Sequence, residues 1–363
     1  MASDFYNTLY GHGPKRMLHW EHWSNPDAET WITGIDYYDH PRQCRLKWNE
    51  LYPMVPFGVP KDDTPIPRPT LGGEKSANHS DHAVRWGDSQ TGTFQHGEAF
   101  FKTADDVWKF SPLEHAAKFP EWGHVVMNWD FTEEAIRKRF EWWFTPEGQA
   151  HGAKDDCAST WFYNTMFMWP MLTFGWELFL ECCLDERFER IMDEFLELNR
   201  RTFRVFADMP IHYVLCHDDI MMTRGPVCGP AWMKKYIYSA YEELWGILAA
   251  KGKRVLFMTD GNADECADDI IALGALGIVT EPYTDFKRLA KKYPDKCFAG
   301  EGDNRILRRN DDAEIKAMVK SMAETGKMCG GYIMCIGNHI PWDIPGEAVK
   351  RYLDYANEFA WRN

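Results

Sequence analysis

The side chains best suited to chemistry stand together at His217-Asp218-Asp219, where the apolar run Tyr213 to Cys216 ends abruptly before a loop containing Gly225-Pro226 and Gly229-Pro230. An imidazole beside carboxylates can relay a proton or help hold a cation. Side chains alternate faces along an extended chain, so His217 and Asp219 aim one way and Asp218 the other. The same grammar recurs downstream. Arg254 to Asn262 reads RVLFMTDGN and delivers Asp260 and Asn262 around Gly261, while Gly277 to Pro282 reads GIVTEP and ends in Glu281. The proline after Glu281 keeps that residue extended. Lys296 to Asp303 reads KCFAGEGD and delivers Glu301 and Asp303, and the run from Gly331 ends at His339. A carboxylate in a low-dielectric mouth has its pKa raised toward the range that a general acid needs at neutral pH. Each position also has a structural interpretation: Asp and Asn bond their own backbone in tight turns, carboxylates cap loops, and a buried histidine can be a satisfied core residue.

These apolar runs alternate with segments of helical spacing at Ala231 to Ala250, Asp264 to Leu273, Asp285 to Tyr293, Asp311 to Thr325 and Gly346 to Trp361. Strand and helix in alternation imply a parallel sheet. Repeated this often, they predict an α/β fold of the (β/α)8 TIM-barrel type, whose reactive groups gather at the C-terminal ends of the strands. Met17 to Trp23 suits the first strand, with His19 and Glu21 on one face and His22 on the other. His19, Trp20, Glu21, Asn262, Glu301 and Asp303 are the candidate substrate-binding residues. Further strands are expected at Val125 to Trp129 and Trp161 to Trp169, a hairpin at Ala83 to Phe94, and helices at Ala104 to Lys109, Thr132 to Phe144, Phe174 to Cys183 and Asp185 to Ala207. The last has Phe188, Ile191, Phe195 and Leu198 on one stripe. Residues 1–80, dense in Pro and Trp, read as an extension with few regular elements, packed on a barrel formed by residues 81–363.

The chain has 363 residues, 45% of them hydrophobic and 26% charged, enough for a substantial core. Its formal charge of −14 opposes nucleic acid and polycarboxylate ligands, and no P-loop, GxGxxG or basic block appears. No apolar run reaches the length of a membrane span and no leader pattern opens the chain, so a cytoplasmic protein with reduced cysteines is expected. Thirteen of the seventeen tryptophans lie between Trp20 and Trp176. Indoles in that number either fill a core or wall a pocket for a planar ligand.

His217-Asp218-Asp219 with Gly225-Pro226 and Met233-Lys234-Lys235-Tyr236, then Met258-Thr259-Asp260-Gly261-Asn262, then Gly330-Gly331-Tyr332-Ile333 through Ile340-Pro341-Trp342-Asp343-Ile344-Pro345, together resemble the uroporphyrinogen decarboxylase superfamily. Val84-Arg85-Trp86-Gly87 resembles that family's (D/E)xWG hairpin, and the likeness runs from about residue 80 to the end. It implies a distorted (β/α)8 barrel and one of two activities, tetrapyrrole decarboxylation or methyl transfer involving a corrinoid on a small partner protein. Decarboxylases of the family carry an arginine-containing segment at the first strand; here Leu18-His19-Trp20-Glu21-His22-Trp23 stands instead, with Glu21 in the arginine's place. Members that methylate thiols carry a His-x-Cys and a later Cys that bind zinc, where this chain has Met258, Asp260 and Asn338. A harder set of Asp260, Glu281 and His339 can still hold Zn2+. The resemblance therefore implies an enzyme of a corrinoid-dependent O-demethylase system: it takes a methyl group from a methoxylated, aromatic small molecule to cob(I)alamin on a corrinoid-binding partner protein, with Asp260, His217, Asp219 and Glu281 as catalytic residues. A decarboxylase of a smaller carboxylated substrate is the alternative.

Overall fold

The computed structural model describes residues 2–66, 68, 75–77, 84–86, 101–115, 130–163 and 165–362. Its central sheet has seven parallel strands: β1 (Leu18–His19), β2 (Ser159–Tyr163), β3 (Tyr213–His217), β4 (Arg254–Met258), β5 (Gly277–Val279), β6 (Cys297–Ala299) and β7 (Gly331–Met334). They lie in the order β1-β7-β6-β5-β4-β3-β2, each parallel to its neighbour. The sheet curls into the wall of a TIM-type barrel. The Trp20 ring, just past β1, lies 6.0 Å from the Trp161 ring of β2, so the two outer strands approach each other. The strand expected at Val125 to Trp129 lies outside the described residues.

Alternation along the strands sorts the core into two layers. Tyr213, Leu215, Leu256, Val279, Cys297, Ala299, Ile333 and Cys335 pack together with Leu18, Trp20 and Met258 as the barrel filling. Val214, Cys216, Val255, Phe257, Ile278, Phe298 and Tyr332 face the surrounding helices. The long helix Phe188–Asp208 buries its expected stripe of Phe188, Ile191, Phe195 and Leu198 in that outer layer. The helices Ala104–Lys109, Phe286–Lys292, Asp312–Met328 and Gly346–Phe359 lie where the spacing predicts them. Among the described residues no helix is long and apolar enough to cross a membrane.

Several expectations are corrected. Residues 2–66 hold three helices, Asp4–Leu9, Pro26–Thr33 and Pro41–Leu51, not few regular elements. Two of them begin on proline, which marks a helix start because the first-turn amide has no partner to lose. Lys75–Ala77 pairs antiparallel with Val84–Trp86, and of the hairpin expected at Ala83 to Phe94, residues 83 and 87–94 lie outside the described residues. The expected helix Thr132 to Phe144 is split at Phe140 into Glu133–Arg139 and Glu141–Phe144. Trp161 to Trp169 is a strand only as far as Tyr163, and Trp169 lies in the helix Met168–Phe174.

Asp218 explains where that strand stops. Its carboxylate, fully buried, accepts the backbone amides of Met166, Phe167 and Met168 at 2.7–2.8 Å. It also accepts the hydroxyls of Thr165 and Tyr241, each at 2.7 Å. Successive amides in an extended chain point to opposite sides, so three that converge on one side chain force the backbone out of the strand. Asp218→Ala strands these donors in the core and is expected to cost at least about 3 kcal/mol of unfolding free energy. Urea unfolding measures this; a loss below about 1 kcal/mol would contradict the anchoring role.

Candidate active site

The inward-facing rows of β3, β4 and β5 continue past the strand ends into His217, Asp219, Asp260 and Glu281. His217 Nε2 and Asp219 Oδ1 are 2.9 Å apart, and the same Asp219 oxygen accepts the Asp260 amide at 2.8 Å. Glu281 accepts the Gly261 amide at 2.7 Å with one oxygen and the Asn338 side-chain amide at 3.2 Å with the other. That Asn338 amide also stands 3.5 Å from Asp260 Oδ2. Four predicted catalytic residues thus share one cluster at the C-terminal mouth of the barrel.

The turn that presents Asp260 needs a glycine. Gly261 has φ +80°, and a Cβ there would lie 2.6 Å from the Met222 carbonyl carbon. Met222 belongs to the short hairpin of Met221–Met222 and Gly225–Pro226, whose Met222 carbonyl accepts the Asn262 amide at 2.9 Å.

An aromatic group lies at the same strand ends, His22 near enough to feel the charge of His217. Trp20 stacks on His22 with ring centroids 6.2 Å apart, His22 meets Trp161 at 6.4 Å, and His22 lies edge-on to His339 at 5.6 Å. Trp161 and Asn338 are site residues that the sequence reading does not single out. Trp161 had a signal, since it shares the inward parity of β2, while Asn338 is an uncharged side chain beside a predicted histidine.

Other predicted residues have their polar atoms engaged elsewhere. His19 and Glu21 face the helix layer: Glu21 bonds His19 at 2.7 Å and the Ile336 amide at 3.2 Å, and accepts the Tyr352 hydroxyl. Glu301 has the parity of the barrel filling, yet it bonds Tyr332 at 2.6 Å and Thr325 at 3.0 Å. Gly300, at φ +108°, is the cause, because a positive φ re-aims the next side chain. Asp303 caps the helix Asn304–Arg309 and holds Arg305 in a two-pronged pair, and Asn262 caps the turn Ala263–Glu265. The metal set also changes. His217, Asp219 and Asp260 offer donor atoms all within 4.8 Å of one another; of the predicted Asp260, Glu281 and His339, only Asp260 belongs to that group. His339 lies instead on the rim beside His22.

Electrostatics follow from this crowding. Burial and then the charges of Asp219 and Glu281 push the Asp260 carboxyl up to about 7. Burial alone would lower His217, but its bond to Asp219 and the charges of Asp219, Asp260 and Asp218 together raise it. His22 and His339 are lowered, both chiefly by burial and His22 also by neighbouring imidazoles, so both are neutral at neutral pH.

Comparison with known proteins places this geometry in a family context. The sequence profile of the family "Uroporphyrinogen decarboxylase (URO-D)" matches residues 181–359. No curated protein sequence matches the chain. Among solved structures, a methyltransferase from Methanosarcina mazei superposes with a TM-score of 0.58 at 14% identity, covering 98% of each chain. A xylose isomerase-like TIM barrel protein from Mycobacterium smegmatis, in complex with magnesium, gives 0.31 at 12% identity over 61% of this chain and 79% of its own. A D-psicose 3-epimerase from Clostridium cellulolyticum, with D-tagatose, gives 0.31 at 12% identity over 63% and 83%.

A raised Asp260 pKa has a consequence for stability. The folded chain keeps this proton over a range where the unfolded chain, at about pH 4, has released it. That stabilisation is complete below about pH 4 and is lost as pH rises to about 7. The raised His217 acts with the same sign, its contribution being lost as pH rises through its folded value. In chelator-containing buffer, unfolding free energy should fall between pH 5 and pH 8, and Asp260→Asn should flatten the fall. A wild-type stability that climbs across this window would contradict the site's electrostatics.

Proposed function

With residues 181–359 forming a uroporphyrinogen decarboxylase-family domain, we propose that this protein is a cytoplasmic methyltransferase of a corrinoid-dependent O-demethylase system. It moves a methyl group from a methoxylated aromatic compound to cob(I)alamin carried by a separate corrinoid-binding protein. The observation that carries this proposal is the gathering of Asp260, Asp219, Glu281 and His217 in one hydrogen-bonded cluster at the mouth, with the Asp260 carboxyl pushed up to about 7 and the Trp20, His22, Trp161 and His339 rings grouped at the same strand ends. The fold shared with a methyltransferase over nearly the whole chain is in keeping with it.

The chemistry sets few demands on this chain. The partner's reduced corrinoid is itself the nucleophile, so no Ser or Cys attacker is required, and the described cysteines are buried and free. The chain must hold the ether in line with the acceptor, exclude water and discharge the leaving oxygen. As the methyl–oxygen bond breaks, the departing phenolate takes the proton of Asp260. His217, raised by its bond to Asp219, stands in position to restore it.

One imidazole and two carboxylates, as in His217, Asp219 and Asp260, are donors that zinc accepts, and their spacing suits a single ion. Zinc bound there would supply a Lewis acid at the leaving oxygen in place of the Asp260 proton. Loading it would displace the Asp260 proton, since a ligating carboxylate is ionised. Titration of zinc into metal-free protein is expected to release a proton, and Asp219→Ala should weaken binding by about 10-fold or more. Equal affinity in that variant would remove Asp219 from the donor set.

A panel of methoxyarenes with reduced corrinoid protein tests the reaction itself: the cob(I) spectrum should convert to that of methylcob(III)alamin. Asp260→Ala should leave substrate affinity within a few-fold and slow transfer by ~10²-fold or more. Carbon dioxide released from a carboxylated substrate, with no change at cobalt, would favour the decarboxylase alternative.

A further inference from the structure

All ten cysteines are buried and free, and two of them meet from distant parts of the chain. Cys183 follows the helix Trp176–Cys182, while Cys228 stands in the loop between the Met221–Pro226 hairpin and the helix Pro230–Trp232. Their thiols share a side-chain hydrogen bond. The two segments are also joined independently of sulfur: the Trp232 indole donates to the Cys183 carbonyl at 2.9 Å, and its ring stands edge-on to Phe179 with centroids 5.9 Å apart. Both thiols are buried, yet shallow. Cys183 precedes Leu184, which is 81% exposed, and Cys228 precedes the exposed Gly229.

The pair is set apart chemically as well. The shared bond holds the Cys183 thiol below its ordinary value and, together with burial, pushes Cys228 above its own. The other eight cysteines are all raised, each chiefly by burial. A thiolate is the nucleophile in thiol oxidation, so the chain presents one sulfur suited to attack and, against it, a second that can resolve the product. Sulfurs that only fill a core act as small hydrophobes and need no such pairing.

We propose that Cys183 and Cys228 are a reversible oxidation site for peroxides, closing to a disulfide that ties the helix end to the loop behind the hairpin and through it alters the mouth. The Cys183 sulfur attacks one peroxide oxygen; the O–O bond breaks, that oxygen stays on sulfur as a sulfenic acid, and the other leaves as water. The Cys228 sulfur then attacks Cys183, the S–O bond breaks, and a second water departs with the Cys228 proton. Two thiols thus lose two electrons to the peroxide, and a dithiol reopens the bond by exchange. A disulfide sets its sulfurs about 2.05 Å apart, closer than two thiols in contact, so one side must yield. On the helix side Phe179 and Cys182 are fully buried, whereas on the loop side the Val227 amide reaches the Ile220 carbonyl at 3.4 Å and the hairpin is a short ladder. The hairpin's Met222 carbonyl accepts the Asn262 amide, and its backbone lies against Gly261. Movement of the loop is therefore delivered to the turn that presents Asp260. The oxidation site stands whichever reaction the mouth performs.

Purified protein treated with hydrogen peroxide at neutral pH, alkylated and digested, should yield a peptide pair joining Cys183 to Cys228 by mass spectrometry, and dithiothreitol should restore both thiols. The pair should persist in Cys182→Ala and vanish in Cys183→Ala and Cys228→Ala; the wild-type digest carries the assignment by itself if a variant fails to fold. In the oxidised chain the Asn262 amide should exchange with solvent deuterium about fivefold faster, the size of one weakened hydrogen bond. Peroxide-treated Cys228→Ala should show no such change. A Cys182–Cys183 bond, a link between chains, sulfinic acid without a link, or a Cys183–Cys228 bond that forms only after unfolding in urea overturns the proposal. A native disulfide that leaves Asn262 exchange unchanged or slower overturns it too.

Discussion

Carboxylates forced together out of bulk water are the constraint around which the mouth is organised. Two unit charges of like sign 4 Å apart repel by about 4 kcal/mol at the effective dielectric of a protein surface. Asp219, Asp260 and Glu281 stay together because each repulsion has a local answer. Backbone amides of Asp260 and Gly261 point into the cluster, the Asn338 amide sits between two acids, His217 contributes an imidazole, and Asp260 keeps its proton. The amides can point there only because Gly261 adopts a left-handed backbone against the Met222 hairpin. Acidity, turn shape and loop packing at this end are therefore one problem with one solution.

Much of this was legible from residue order alone. The apolar runs ending in His217, Asp260 and Glu281 mark strands, and their parity carries these side chains to one cluster because nothing interrupts the alternation between the barrel filling and the mouth. The same parity correctly sends Asp218 to the opposite face, where it binds three amides and two hydroxyls. The helices on the outer layer follow from their spacing for similar reasons: a stripe such as that of Phe188–Asp208 has only one place to be buried.

Where sequence misleads, a backbone event that leaves little trace in residue type is responsible. Gly300 has the same one-letter identity whether or not its φ is positive, yet its conformation moves Glu301 from the mouth to the helix layer. Asp303 and Asn262 look like ligand-binding groups but serve as helix and turn caps, a use that their chemistry shares with catalysis. The prolines of the extension suggest irregular structure, although Pro26 and Pro41 open helices. Trp161 and Asn338 were overlooked because their value lies in which distant residues they meet, and that depends on the curl of the whole sheet.

β1 pairs in register with β7, Leu18 against Ile333 and His19 against Met334. Among the described residues this is the ladder that β1 enters. Glu21 adds to the join through the Ile336 amide and the Tyr352 hydroxyl, and the Met17 amide bonds the Ala360 carbonyl at 2.8 Å. Contacts so remote along the chain carry a large loop-closure cost and form late. The first strand of the sheet therefore finds its partner only once the strand Gly331–Met334 is available. Closure of the barrel wall is thus a contact between segments more than 300 residues apart.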